Sequence, residues 1–333
     1  MAIQVAVVGC GNFARAIHLP NIVKLPEYQL RLVVDADAQR ARDTAEQFQV
    51  PDHSSSYDDA LSNAEIDLVI ICTPHNQHAQ MAIQAVNAGK HVLVEKPMAM
   101  KLEELKPVVE AVRRQGVTFT VGFNRRYSEL SKKAKQLLDG RRSPLLMNYR
   151  MVNSIIHHPW ALDPEIGGGR IISEVVHLFD FCAFMVGEEP VRIWAEGGNL
   201  THPDIPGTID NAAITLNFGG GSIVSITVGD LGSDRYPKER VELFSDERTI
   251  VIDDYVSLET RGFEEDLNIT LPTVDKGFVQ ELVELAEAIR SRSPAPVTET
   301  DGARATLCAV GAMEAIRTGE VQMLDLSPYV GGK

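Results

Sequence analysis

The sequence predicts a doubly wound α/β domain with a parallel sheet, followed by an α+β domain with a mostly antiparallel sheet. Three observations carry this expectation. Short apolar runs alternate with helical patterns up to about residue 123. The turn after the first run is rich in glycine. Beyond residue 124, strand-like runs follow one another without long helices between them, which favours antiparallel pairing. A chain of 333 residues has the length of about two domains, and the change of pattern sets their expected bounds at 1–123 and 124–333.

In the first part the strand-like runs are 3–8, 30–34, 68–72, 91–94 and 118–121. Their β-branched content and low polarity suit strands covered on both faces. Stretches 38–48, 77–88 and 102–115 read as helices between them. In the second part, 128–138 reads as a helix closed by Gly140, and 145–151 as a strand. A long helix, 171–185, is entered through Gly167-Gly168-Gly169. Runs 191–195, 211–218, 222–228, 240–244 and 249–253 read as strands, and 276–291 and 302–318 as closing helices.

The net charge is −14, from 32 basic and 46 acidic residues. That balance opposes nucleic acid or an anionic membrane as the main partner, since both reward clustered Lys and Arg. No apolar stretch approaches the ~20 residues of a membrane span. The N-terminus opens on a strand rather than a secretory pattern, so the expected location is cytoplasmic. Cys10, Cys72, Cys182 and Cys308 are scattered, as free thiols in a reducing compartment would be. His157-His158 has no Asp, Glu or Cys at usual ligand spacing, so no metal is expected.

Gly9-x-Gly11-x-x-Ala14 follows a strand and precedes a helical pattern. Glycines let a backbone turn tightly against a pyrophosphate, and a helix N-terminus offers N–H groups and a positive dipole end. Gly9, Gly11, Asn12, Phe13 and Ala14 are therefore expected to cradle a dinucleotide. Asp35 closes the second strand, where a carboxylate accepts hydrogen bonds from a ribose diol and repels a 2′-phosphate. This favours NAD over NADP, although Arg40 nearby suits a 2′-phosphate. Asp37 reads as a helix cap. Thr73, Pro74 and His78 lie in the loop after the next strand, beside the expected cofactor. Loop polarity and helix capping account equally for His75 and His78.

Glu95-Lys96-Pro97 ends the run 91–94. A Lys at a strand end of an open α/β sheet is placed to meet a ligand. It can donate to a substrate hydroxyl and help move its proton. Pro97 stiffens the turn and suits a cis bond, and Glu95 is placed with the cofactor. His177 lies on the helix after the triple glycine, with Ser173 at i−4, Glu174 at i−3 and Asp180 a turn further on. A neutral imidazole there can accept a proton, and a satisfied core histidine is the competing reading. Asn124, Arg125 and Arg126 follow the last strand of the first part, where they serve a cofactor, an anionic substrate or a domain-interface salt bridge. Trp160 suits packing on a sugar face or anchoring a loop.

Together these segments resemble the Gfo/Idh/MocA family of oxidoreductases. The matching residues are Gly9-Cys10-Gly11-Asn12-Phe13-Ala14, Cys72-Thr73-Pro74, Val94-Glu95-Lys96-Pro97 and Gly122-Phe123-Asn124-Arg125-Arg126-Tyr127. Gly167-Gly168-Gly169 through His177 to Asp180, and Asp301-Gly302 with its helix, complete the set. The resemblance implies a Rossmann domain, then a mostly antiparallel sheet whose open face often makes oligomer contacts, hence a homo-dimer or tetramer. It implies NAD-dependent oxidation or reduction of a CH–OH group on a sugar, cyclitol or sugar derivative. Lys96 matches the family's motif lysine and His177 its proton-transferring histidine. One departure is Ser173, where many members carry Asp; Glu174 beside it leaves a regular helix about 100° away. Ser173, Glu174, Arg125 and Trp160 are therefore the expected substrate contacts. Imine, pyrrole or dihydrodiol reduction on the same fold, and a non-catalytic dinucleotide sensor, are the alternatives.

Overall fold

In the computed structural model, residues 2–154 and 159–330 are described. The chain divides into two compact units, Met1–Phe123 with Phe278–Ala303, and Asn124–Gly277 with Arg304–Lys333.

The first unit carries a six-stranded, all-parallel sheet. Its strands are β1 (Ile3–Val8), β2 (Tyr28–Val34), β3 (Asp52–Ser54), β4 (Leu68–Ile71), β5 (His91–Val94) and β6 (Phe119–Val121). Their order is β3-β2-β1-β4-β5-β6, the doubly wound arrangement that the alternation predicted. Every residue of β4 is buried, as strands covered on both faces must be. β3 and the short helix Tyr57–Ser62 were not foreseen, being brief and mostly polar. The helix Ala38–Phe48 is capped by Asp37, as expected, through the amides of Gln39 and Arg40.

The register places five strand ends in one row. Val8 pairs with Val34 and with Ile71, Ile71 with Val94, and Val94 with Val121. The next residues are Asp35, Gly9, Cys72, Glu95 and Gly122. Gly9, Cys72, Glu95 and Gly122 each donate an amide to the last carbonyl of a neighbouring strand, at 2.8, 2.7, 2.9 and 2.9 Å. Each short motif of the sequence thus emerges from one carboxyl edge.

The segment Phe278–Ala303, expected in the second domain, groups with the first unit. The helix Phe278–Ser291 presents Leu282, Leu285 and Ala286 at helical spacing, and they join the core that holds Val5, Val7, Leu68, Ile70 and Leu93. Tyr28 Oη donates to Leu282 O at 2.6 Å. Burial of that apolar stripe, not its place in the chain, decides where the helix belongs.

The second unit holds a nine-stranded sheet. Its strands are β7 (Leu146–Val152), β8 (Pro190–Gly198), β9 (Asn211–Phe218), β10 (Ile223–Gly229), β11 (Glu239–Ser245), β12 (Arg248–Asp253), β13 (Ser257–Arg261), β14 (Asn268–Thr270) and β15 (Gln322–Met323). They lie in the order β14-β13-β12-β11-β7-β10-β9-β8-β15. Among the described residues, only β7 and β10 pair in parallel in this sheet; the other pairings are antiparallel. Alternation puts Met147, Tyr149, Ile193, Val224 and Ile226 in the core. The opposite face carries Leu146, Trp194 and Ile223 exposed. The helix Val176–Val186 is buried on all sides. No described helix is long and apolar enough to cross a membrane. His157-His158 lies outside the described residues.

Candidate active site

The carboxyl edge of the parallel sheet gathers the site in the first unit. The chain order of the strands reverses between β1 and β4, the place where open α/β sheets bind ligands. The glycine turn leaves β1 there, and Thr73 leaves β4.

Gly9 adopts φ +93°, and a Cβ on it would stand 2.5 Å from the Cys72 carbonyl oxygen. The turn therefore packs backbone to backbone against the β4 loop, which only glycine permits. Gly11 differs, since a Cβ there would meet nothing within 4 Å. Asn12 and Phe13 are exposed, Ala14 is buried, and Ala14–His18 winds as a π-helical turn into the helix Leu19–Lys24. This open backbone before a helix fits the pyrophosphate of a dinucleotide, with Gly11 leaving room for its approach. Phe13 stacks edge-on against His18 and Phe278, at 5.5 and 5.9 Å between ring centroids.

Asp35 has both carboxylate oxygens engaged at the turn. Oδ2 accepts from the Cys10 amide at 2.8 Å and Oδ1 from the Asp37 amide at 2.9 Å. Arg40 Nη1 lies 3.8 Å from Oδ2. Burial and the Asp35 charge push the Cys10 thiol up to about 11, so it stays protonated at neutral pH.

Glu95 is held in place by the protein itself. Its Oε1 lies 2.7 Å from His18 Nε2 in a nearly sealed pair, and Oε2 accepts from the Lys96 amide at 3.2 Å. A Cβ on Gly122 would stand 2.8 Å from Glu95 Oε1, so the carboxylate lies across bare backbone. The peptide bond from Lys96 to Pro97 is cis, and Lys96 is half-buried. Glu95, expected against the cofactor, anchors the lysine turn through His18 and the Lys96 amide.

His78, expected beside the cofactor, lies inside the protein. It is fully buried, with Nδ1 2.7 Å from Pro97 O and Nε2 2.9 Å from Thr73 O. A ring sealed in this way has no edge for a cofactor. Burial draws its pKa below the ordinary histidine value, against the two carbonyls and Glu95, which favour the charged form. Thr73 Oγ1 lies 3.5 Å from the Met81 sulfur, and Pro74 is exposed.

In the second unit, polar residues expected at a ligand are consumed internally. Asn124 is buried and its Nδ2 donates to Lys276 O at 2.7 Å. Arg125 forms a bidentate pair with Glu239 at 2.8 and 2.9 Å, both side chains nearly or wholly buried. Lys276 Nζ lies 2.6 Å from Glu239, and Tyr149 Oη donates to it at 2.7 Å. Burial alone would raise Glu239, but Arg125 and Lys276 hold it well below the carboxylate range. Arg125 thus carries a buried ion pair inside this unit. Arg126 pairs likewise with Asp180 through both of its carboxylate oxygens.

His177 is buried, one residue into the helix Val176–Val186. The preceding Ile171–Val175 is a π-helical turn, not the regular helix expected. Its hydrogen bonds run from i to i+5 rather than i to i+4. Ser173 is buried. Glu174 Oε2 lies 3.5 Å from Lys238 Nζ, and burial draws the Lys238 pKa down while Glu174 raises it. Trp160 is 44% exposed on the short helix Pro159–Leu162. His18 and Lys238 were not singled out from the sequence. A lone histidine inside the apolar segment after the glycine turn was the available signal for His18; Lys238 sits in a polar loop that carries none.

The sequence matches two family profiles, an NAD-binding Rossmann-fold oxidoreductase domain over residues 3–123 and a GFO/IDH/MocA C-terminal domain over residues 143–251. An uncharacterized oxidoreductase of Bacillus subtilis, YrbE, is 30% identical over 95% of this chain and 95% of its own. The scyllo-inositol 2-dehydrogenase (NAD(+)) of the same organism is 28% identical, covering 99% of this chain and 98% of its own. Levoglucosan dehydrogenase, solved in complex with NADH, superposes with a TM-score of 0.86 at 19% identity, over 98% of this chain and 100% of that one. With an NAD-binding Rossmann domain followed by the family's C-terminal domain, the chain belongs to the Gfo/Idh/MocA oxidoreductases.

Proposed function

We propose that this protein is an NAD-dependent dehydrogenase acting on a secondary hydroxyl of a sugar, cyclitol or sugar derivative. The observation that carries the reading is the placement of Lys96. It follows β5 on the edge that holds the glycine turn, on a turn gripped through Glu95 by His18 and through Pro97 by His78. The inositol and levoglucosan dehydrogenases among its relatives point to the substrate class.

Bound NAD supplies the hydride acceptor. Lys96 donates a hydrogen bond to the substrate oxygen and steadies the negative charge that grows there. His177 takes the hydroxyl proton on a ring nitrogen. As the O–H proton and the carbon-bound hydride depart, the carbon–oxygen bond becomes a carbonyl; in the reductive direction the same groups return them. Asp35 favours NAD over NADP, since its carboxylate would repel a 2′-phosphate. The exposed Leu146, Trp194 and Ile223 of the nine-stranded sheet suit contact with a second copy, in a dimer or tetramer. The protein acts in the cytoplasm.

A panel of inositols, hexoses and anhydrosugars, with NADH formation followed by absorbance, tests the substrate class. Lys96→Ala should slow turnover of the best substrate by roughly 10² or more while NADH affinity stays near that of the unaltered protein. Unchanged turnover would overturn the role of Lys96, and tighter binding of NADPH than NADH would overturn that of Asp35.

A further inference from the structure

We propose that His78 is a positioning residue that sets Lys96 by tying the Lys96-Pro97 turn to the Thr73 loop. The inference rests on the reading of Lys96 given above. β4 and β5 are neighbours, and their ladder continues one step past the strands through the Glu95 amide on Ile71 O. Beyond that step both chains pass into loops. The His78 ring bridges them, from Pro97 O at 2.7 Å to Thr73 O at 2.9 Å. Pro97 is the residue next to Lys96, and Thr73 begins the loop beside the glycine turn.

Carbonyl oxygens only accept hydrogen bonds, so this ring can act only as a donor. One N–H bonds one carbonyl and leaves the bare nitrogen facing the other; two N–H groups bond both, the form that the two carbonyls and Glu95 favour against burial. Its complete burial leaves no edge for any ligand, so its effect on chemistry has to pass through the groups it holds. Those groups are the backbone on either side of the candidate site, and the nearer one carries the lysine. A displacement of about 1 Å in a catalytic group costs up to roughly 10² in rate.

A double-mutant cycle tests this. His78→Gln keeps a donor on a side chain without the ring's two-ended reach. In the presence of Lys96 it should lower kcat roughly tenfold, and in Lys96→Ala it should change kcat less than about twofold, because its route to the reaction is gone. NADH affinity, read by fluorescence titration, should change by less than about threefold. Deuterium exchange should quicken in peptides holding Thr73 and Lys96 and stay unchanged in the second unit. The same loss of kcat in both backgrounds, or unaltered kcat in folded His78→Gln, overturns the proposal. If Gln does not support folding, His78→Asn is put through the same cycle. Undiminished turnover in Lys96→Ala alone refutes the lysine reading, an arm separate from the His78 comparison.

Discussion

His18 Nε2 stands 2.7 Å from Glu95 Oε1, and both side chains are almost sealed from water. The pair joins the segment after the glycine turn to the turn that carries Lys96. His18→Leu would leave a buried carboxylate oxygen without its partner, at a cost of about 2 kcal/mol. The variant should unfold at lower urea and turn over more slowly, since the anchor beside Lys96 is loosened. Unaltered urea unfolding would show that the contact carries no weight.

The two motif glycines should fail in different ways. Gly9→Ala sets a Cβ 2.5 Å from the Cys72 carbonyl at a φ of +93°, and should cost about 2 kcal/mol of stability or more. Gly11→Ala meets nothing within 4 Å and should fold normally. It should nevertheless weaken NADH binding roughly tenfold, because its methyl occupies the approach of the pyrophosphate. Thermal midpoints and NADH titrations of the two variants separate a steric role from a ligand-facing one.

Arg125 provides a test of the opposite kind. Arg125→Leu strips the buried Glu239 of its bidentate partner and should cost about 3 kcal/mol. The loss should appear as a lower denaturation midpoint, with KM for substrate unchanged in the folded fraction. An intact midpoint with a raised KM would return Arg125 to the substrate.

Acid should weaken the fold through Asp210. Burial would raise this carboxyl, but bonds from the Leu200 amide, the Thr201 hydroxyl and amide, and the Asn211 side chain hold it at about 2. A depressed folded-state pKa stabilises the protein above the unfolded value and is lost as pH falls through the folded one. About 2 kcal/mol should therefore disappear between roughly pH 4 and pH 2. Asp210→Asn should be less stable at neutral pH and lose stability less steeply over that interval. Parallel acid profiles for the two proteins would refute this.

Much of the fold was legible because it is written in local pattern. Alternation of apolar runs and helical stretches is enough to predict a doubly wound sheet, and Gly9, Gly11 and Lys96 announce themselves as strand-end residues. The partners of polar loop residues were not legible. His78, Asn124 and Arg125 look in sequence like residues reserved for a ligand, yet each is spent on a protein group. A polar side chain after a strand has the same appearance whether it awaits a substrate or a carbonyl.

The sequence by itself determined the two fold classes, the NAD-type glycine turn and the identity of the candidate lysine and histidine. Hydrophobic periodicity and turn chemistry act over a few residues, so they can be read in order along the chain. Tertiary structure alone decided what holds those residues. His18 meets Glu95 across 77 positions and Arg125 meets Glu239 across 114. The same packing placed the helix Phe278–Ser291 with the first unit, because its apolar stripe is buried there. Contacts of that range are selected by packing and desolvation, which have no local signature in the chain.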